Sequence, residues 1–121
     1  RTDSRATEVS EMSRGIKIMA KDLECPVVAL SQLNRQVTDR RGQRPQLSDL
    51  RESGSIEQDA DIVILLDRSM TEEEAERADR PDPNVTEFII AKNRSGPLDV
   101  VPLMFIPNST KFVEVDTRHS E

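Results

Sequence analysis

Three groups of residues in this sequence have types and spacings that could do chemistry. The first is Leu30-Ser31-Gln32-Leu33-Asn34-Arg35, where an apolar run turns abruptly polar. A Gln at the end of a buried strand can donate to a phosphate oxygen and accept from a water, so Gln32 is a candidate γ-phosphate sensor. The second is Ser48-Asp49-Leu50-Arg51-Glu52-Ser53-Gly54-Ser55-Ile56-Glu57-Gln58-Asp59-Ala60-Asp61. Gly54 permits close approach of a backbone, neighbouring N–H groups can grip a phosphate without reading bases, and Arg51 can add charge. The third is Lys92-Asn93-Arg94, where two cations two residues apart on an extended arm share a side and can clamp the charge of a transferring phosphoryl group. Each group also has a purely structural reading. Gln32 can simply end a strand, Arg51 and Glu52 can be a surface pair beside a capped helix start, and Lys92 and Arg94 can protect a hairpin edge.

The elements that would position these groups are legible from periodicity. Val9, Met12, Ile16, Met19 and Leu23 recur every three or four residues, which predicts an amphipathic helix packed by that stripe. Pro26 ends the helical region, and residues 27–30 form a short apolar run suited to a strand buried on both faces. Residues 61–66 read as a second such strand. Between them the chain is polar, with Arg35, Arg40, Arg41 and Arg44 against Asp39, and a short helical stretch is expected around residues 48–52. Ser55 with Gln58 resembles a capping box that opens another helical turn. Residues 85–91 and 98–106 flank Lys92-Asn93-Arg94-Ser95-Gly96-Pro97 as the arms of a hairpin, with Pro102 pushing the second arm toward a sheet edge. Residues 111–115 suit one more short strand. The acidic stretch 71–82, with six acids and two arginines, reads as a solvated insertion.

Composition narrows the function classes. The 121 residues suffice for one modest core, and 33% are charged. A net charge of −6 argues against a module that coats nucleic acid through bulk charge. Three phenylalanines with no Trp or Tyr make a base-stacking platform a poor expectation, which leaves phosphates as the target of any nucleic-acid contact. The lone Cys25 fits a reducing compartment and reads as a buried, inert thiol, and the lone His119 lies in a polar tail with no metal-site partners. No metal site, signal peptide or membrane span is expected. Arg1 in place of an initiating Met suggests a fragment or processed piece.

Taken together, these residues resemble the C-terminal motor domain of DnaB-family replicative helicases. The resemblance runs through residues 8–18, 26–35, 44–64 and 87–97, and the three motifs are specific in this order and spacing. It implies an α/β fold: a partial RecA-like P-loop ATPase with parallel core strands and a C-terminal β-hairpin, residues 1–115 forming the motor portion and 116–121 a flexible tail. It implies an ATP-dependent DNA helicase that acts as a hexameric ring on single-stranded DNA in the cytoplasm, with primase and a helicase loader as partners. By the same resemblance Gln32 senses the γ-phosphate, and Arg51, Glu52 and Gly54 hold the DNA backbone, with Arg35 a weaker DNA contact. Lys92 and Arg94, with Asn93 between them, reach the nucleotide of the neighbouring subunit. ATP and Mg²⁺ belong to the full-length parent, because no G-x-x-x-x-G-K-[ST] loop occurs in these residues, and neither is expected to bind this segment alone. The family more often has Gln and Asn where Asn93 and Ser95 stand, and Pro107-Asn108-Ser109-Thr110 and the acidic insertion diverge, which suggests a divergent or phage-encoded member. Two other readings remain: a fragment of a recombinase- or clock-type RecA-like ATPase, and a non-catalytic DNA-binding or assembly remnant.

Overall fold

A computed structural model of the chain describes residues 2–33, 45–50, 54–68 and 84–115. The sequence-based expectations for residues 34–44, 51–53, 69–83 and 116–121, including Arg35, Arg51, Glu52 and His119, fall outside the described residues. Helix α1 (Thr2–Leu23) packs on the short helix α2 (Gly54–Asp59), and a 3-10 turn (Leu47–Asp49) precedes α2. Strands β1 (Ile62–Arg68), β2 (Val85–Asn93), β3 (Asp99–Ile106) and β4 (Lys111–Glu114) form one sheet in that order, each pair antiparallel.

The α/β character and the hairpin match the expectation, but the pairing does not. Strand β1, expected as a parallel core strand, pairs antiparallel with β2, while β2 and β3 pair antiparallel as the expected hairpin. Residues 27–30 lie among 26–33, which form no strand, and Val28 and Leu30 are exposed. A strand exists only where a neighbour takes up its N–H and C=O groups, and no described strand runs beside this stretch.

Strand β1 buries one face. Val63 and Leu65 are buried, while Ile62, Ile64 and Leu66 are 52–56% exposed. Its continuous apolar run suits cover on both sides, yet among the described residues only one side has a layer over it. On that side Val63, Leu65 and Leu50 form the core, with Leu33, Leu47, Ala60, Ile89 and Ala91 packed against them. On the other side Phe112 meets Phe88 edge-on at 5.2 Å and Phe105 at 5.1 Å, and the Arg68 guanidinium lies 4.5 Å over the Phe105 ring. The phenylalanines do gather, but they pack on one another.

The apolar stripe of α1 is also placed differently. Ser13 is buried and Val9, Ile16, Lys17 and Ala20 are partly covered, whereas Met12, Met19 and Leu23 stand exposed. The reason is the size and chemistry of α2. Six residues make a helix about 9 Å long, and its side toward α1 is polar. The Ser13 hydroxyl donates to Asp59 Oδ2 at 2.8 Å and to Ser55 O at 3.4 Å. Ser55 is itself helical, so it does not act as the residue that caps α2. Cys25 is exposed because it follows the helix end, where the Cys25 N–H bonds Ala20 O and the Glu24 N–H bonds Lys21 O. Those two bonds make a Schellman ending with Glu24 at φ 53°.

Pro102 lies in an interior strand, since β3 sits between β2 and β4. The Phe105 N–H points to the β2 side, where it bonds Asn84 O, so alternation turns the ring nitrogen of Pro102 toward β4. The β4 ladder begins only at Leu103, opposite Glu114, and no ladder bond is lost. The β3–β4 connection closes with Thr110 at φ 50°, its N–H bonded to Pro107 O.

This packing sets expectations for stability. Glu24→Gly and Thr110→Gly each relieve a left-handed conformation and are expected to raise unfolding stability by about 0.5–1 kcal/mol in urea titrations. Leu65→Ala is expected to cost about 2–4 kcal/mol in the same titration, and Leu66→Ala on the open face less than about 1 kcal/mol.

Candidate functional site

Each candidate group adjoins a member of the apolar cluster. Gln32 precedes Leu33, the segment 51–53 follows Leu50, and Lys92 follows Ala91. The core therefore fixes the roots of all three. Gln32 itself is exposed, and its carbonyl lies 3.4 Å from the Ser31 hydroxyl. Gly54 is the first residue of α2, which places the end of the second group at the start of that helix.

The hairpin tip is built by local turn chemistry. The Gly96 N–H donates to Asn93 O, closing a β-turn with Asn at its first position and Gly at its fourth. The Asn93 side chain folds across the turn, and its Nδ2 donates to Pro97 O at 3.2 Å. A Cβ at position 96 would sit 2.8 Å from that Nδ2, so the turn holds Asn93 in place only with a glycine there. Asn93 thus shapes the tip that carries the two cations.

Lys92 and Arg94 do share a side, and both reach back to the end of α2. Along β1–β2 the register shifts between Val63, opposite Lys92, and Ile64, opposite Ile90, leaving Ala91 as the extra residue of a β-bulge. The bulge brings Lys92 beside Val63 on the α2 side. There its Nζ donates to Glu57 O at 2.6 Å and Gln58 O at 3.3 Å, satisfying carbonyls that the helix end leaves open. Arg94 Nη1 lies 2.8 Å from Asp61 Oδ1, and the Arg94 N–H donates to Asp61 O at 2.9 Å. The tip cations, which the resemblance aims at a neighbouring subunit, are here engaged within their own chain.

Asp61 is the meeting point that sequence reasoning missed. Lys17 Nζ bonds Asp61 Oδ1 at 3.1 Å and Asp59 O at 2.9 Å, so one carboxylate links α1, the end of α2 and the hairpin tip. The Lys17 hydrogen bond, then the Lys17 charge, and more weakly Arg94 and Lys92, hold the Asp61 carboxyl below its ordinary range. Its side chain is 64% exposed, so each ion pair is weak and exchangeable. Lys17 lies 44 residues from Asp61, a separation at which no local pattern announces a pairing.

Among the described residues no group of three His, Cys, Asp or Glu side chains could hold a metal, and no helix is long and apolar enough to cross a membrane.

Comparison with known proteins places this geometry. The family described as the DnaB-like helicase C-terminal domain matches residues 1–114. The replicative DNA helicase DnaB of Geobacillus stearothermophilus is 50% identical over 119 residues, covering 98% of this chain and 25% of the relative. The replicative DNA helicase DnaC of Bacillus subtilis is 48% identical over 120 residues, again covering 98% of this chain and 25% of the relative. This chain thus spans about a quarter of the length of these curated relatives. A DnaB-like replicative helicase, whose structure was solved together with an account of its interactions with primase, superposes with a TM-score of 0.80 at 45% identity, covering 92% of this chain and 26% of that one. A separately solved ATPase domain gives the same TM-score and identity over 38% of its chain. The partial RecA-like α/β fold inferred from the motifs agrees with these neighbours. On this family match and these identities, the chain belongs to the DnaB-like helicase C-terminal domain family.

Proposed function

We propose that this segment is the responsive part of the motor of an ATP-dependent replicative DNA helicase, a hexameric ring that moves on single-stranded DNA and unwinds duplex. The observation that carries the reading is the turn that presents Lys92 and Arg94, with Ala91 and Leu33, the chain neighbours of Lys92 and Gln32, packed on the same apolar cluster. Arg94 is 53% exposed, and an exposed ion pair of this kind exchanges readily for a phosphate, which accepts stronger charge-assisted bonds.

In this reading ATP, with Mg²⁺, supplies the phosphoryl group at a neighbouring subunit of the parent. Lys92 and Arg94 meet the charge that develops on it, with Asn93 setting the tip, and Gln32 registers the γ-phosphate. An arginine in this role is worth roughly 10³–10⁵ in rate. Arg51, Glu52 and Gly54 line the channel and hold the DNA backbone, with Arg35 adding a weaker contact. Such contacts are to phosphates, in keeping with the acidic and aromatic-poor composition. Primase and a loader are partners of the parent ring, which works in the cytoplasm. The helicase reading is favoured over a recombinase-type ATPase because the matched family and relatives are replicative helicases.

The test uses the full-length parent, or the Geobacillus stearothermophilus relative carrying this chain in place of its own matching quarter. Either should unwind a forked duplex only with ATP, and absence of ATP-dependent unwinding would refute the assignment. Arg94→Ala is expected to lower ring ATPase by at least about 10³-fold while nucleotide affinity of the free subunit changes less than about twofold. Arg51→Ala is expected to reduce the slope of log affinity for single-stranded DNA against log salt by about 0.7, the mark of one lost phosphate contact, and an unchanged slope would remove Arg51 from the channel.

A further inference from the structure

Val28 and Leu30 are 86% and 95% exposed, more than any other large apolar side chain among the described residues. They lie in the stretch 26–33, which forms no strand. Alternate side chains of an extended chain share a face, so as a strand Val28, Leu30 and Gln32 would lie on one side and Val27 and Leu33 on the other. The burial agrees with that division. Val27 and Leu33 are half-buried, Leu33 on the cluster of Leu50, Val63 and Leu65, whereas Val28, Leu30 and Gln32 are exposed together. Whatever covers the two apolar side chains therefore lies beside Gln32. That cover must also bring a strand edge, because an apolar body laid over residues 27–30 would otherwise bury their N–H and C=O groups without partners.

We infer that Val28 and Leu30 are positioning residues: they seat residues 27–30 as a strand on the ATP-binding part of the same parent chain, and so set Gln32 against the γ-phosphate. The inference rests on the proposed sensor role of Gln32 and adds to it what holds that side chain in place. The length of chain outside this segment identifies the occupant. This chain superposes with a TM-score of 0.80 on a solved ATPase domain of which it covers 38%, so most of that one domain remains to supply the cover. These residues carry no G-x-x-x-x-G-K-[ST] loop, so the phosphate that Gln32 reads is bound by the same remainder. Leu33 anchors the sensor from one side only, and a polar group held by a single packed neighbour is too loose to report on one phosphate.

The experiment uses the full-length parent, or the Geobacillus stearothermophilus relative carrying this chain, and first reads amide hydrogen exchange of residues 27–31. Those amides are expected to exchange at least about 10³-fold more slowly than an unstructured chain, in the free subunit as in the ring. Exchange at the unstructured rate overturns the docking. Protection that appears only on ring assembly assigns the cover to a neighbouring copy and overturns it too. The positioning role is read from relative affinity for ADP and for a non-hydrolysable ATP analogue. Leu30→Ala is expected to lower the preference for the analogue at least about threefold while ADP affinity changes less than about twofold. Val85→Ala, a buried site at the opposite end of β2 from Lys92, should also lower the thermal unfolding midpoint and leave the preference at its wild-type value. An unchanged preference in Leu30→Ala, a parallel loss of both affinities, or the same loss of preference in Val85→Ala overturns the role. Failure of the underlying reading looks different: Gln32→Ala would then leave the preference unchanged while residues 27–31 stay protected.

Discussion

The burial of Leu50, Val63 and Leu65 against one another is the constraint on which the rest of this molecule depends. These side chains come from a loop and one strand, and Leu33, Leu47, Ile89 and Ala91 close around them from three other stretches of sequence. Among the described candidates, Gln32 and Lys92 are chain neighbours of this cluster, and Arg94 is held by Asp61, which follows Ala60 of the cluster. Such an arrangement makes positional accuracy a by-product of hydrophobic packing. The polar residues need not be well packed themselves, because dense apolar contacts hold their roots.

Over that core lies a thin electrostatic layer centred on Asp61. Its members come from α1, α2 and the hairpin, and all are at least partly exposed. The contrast in strength matters for function. Apolar burial fixes where the hairpin and α2 sit, whereas carbonyl hydrogen bonds for Lys92 and a weak, solvent-accessible ion pair for Arg94 decide where their ends point. On the proposed reading, a motor element that exchanges partners during a cycle needs its cations held by contacts of this second kind.

Much of this is legible in the sequence, and the limits are instructive. The hairpin can be read because Asn93, Ser95, Gly96 and Pro97 encode their turn locally, and α1 because its apolar spacing is helical. The face α1 uses cannot be read, since that depends on a polar six-residue partner reaching Ser13 from 46 residues away. Nor can the lack of a partner for residues 27–30 among the described strands, because an apolar run carries no record of whether a neighbouring strand stands beside it. Pro102 misleads for a related reason. Its ring forbids a ladder bond on one side only, and the β4 ladder on that side begins at Leu103, one residue beyond it. Asp61 lies within the second motif, but its importance comes from contacts with Lys17 and Arg94 that no spacing rule connects.

The central claim is that Arg94 acts on a neighbouring subunit while being positioned by its own core. It is tested most directly by mixing two inactive forms of the parent, one carrying Arg94→Ala and one lacking the lysine of its ATP-binding loop. Mixed rings contain interfaces where an intact nucleotide site meets an intact Arg94, so ATPase activity is predicted to return on mixing and to peak near equal proportions. A mixture that stays as inactive as its two components would contradict the claim.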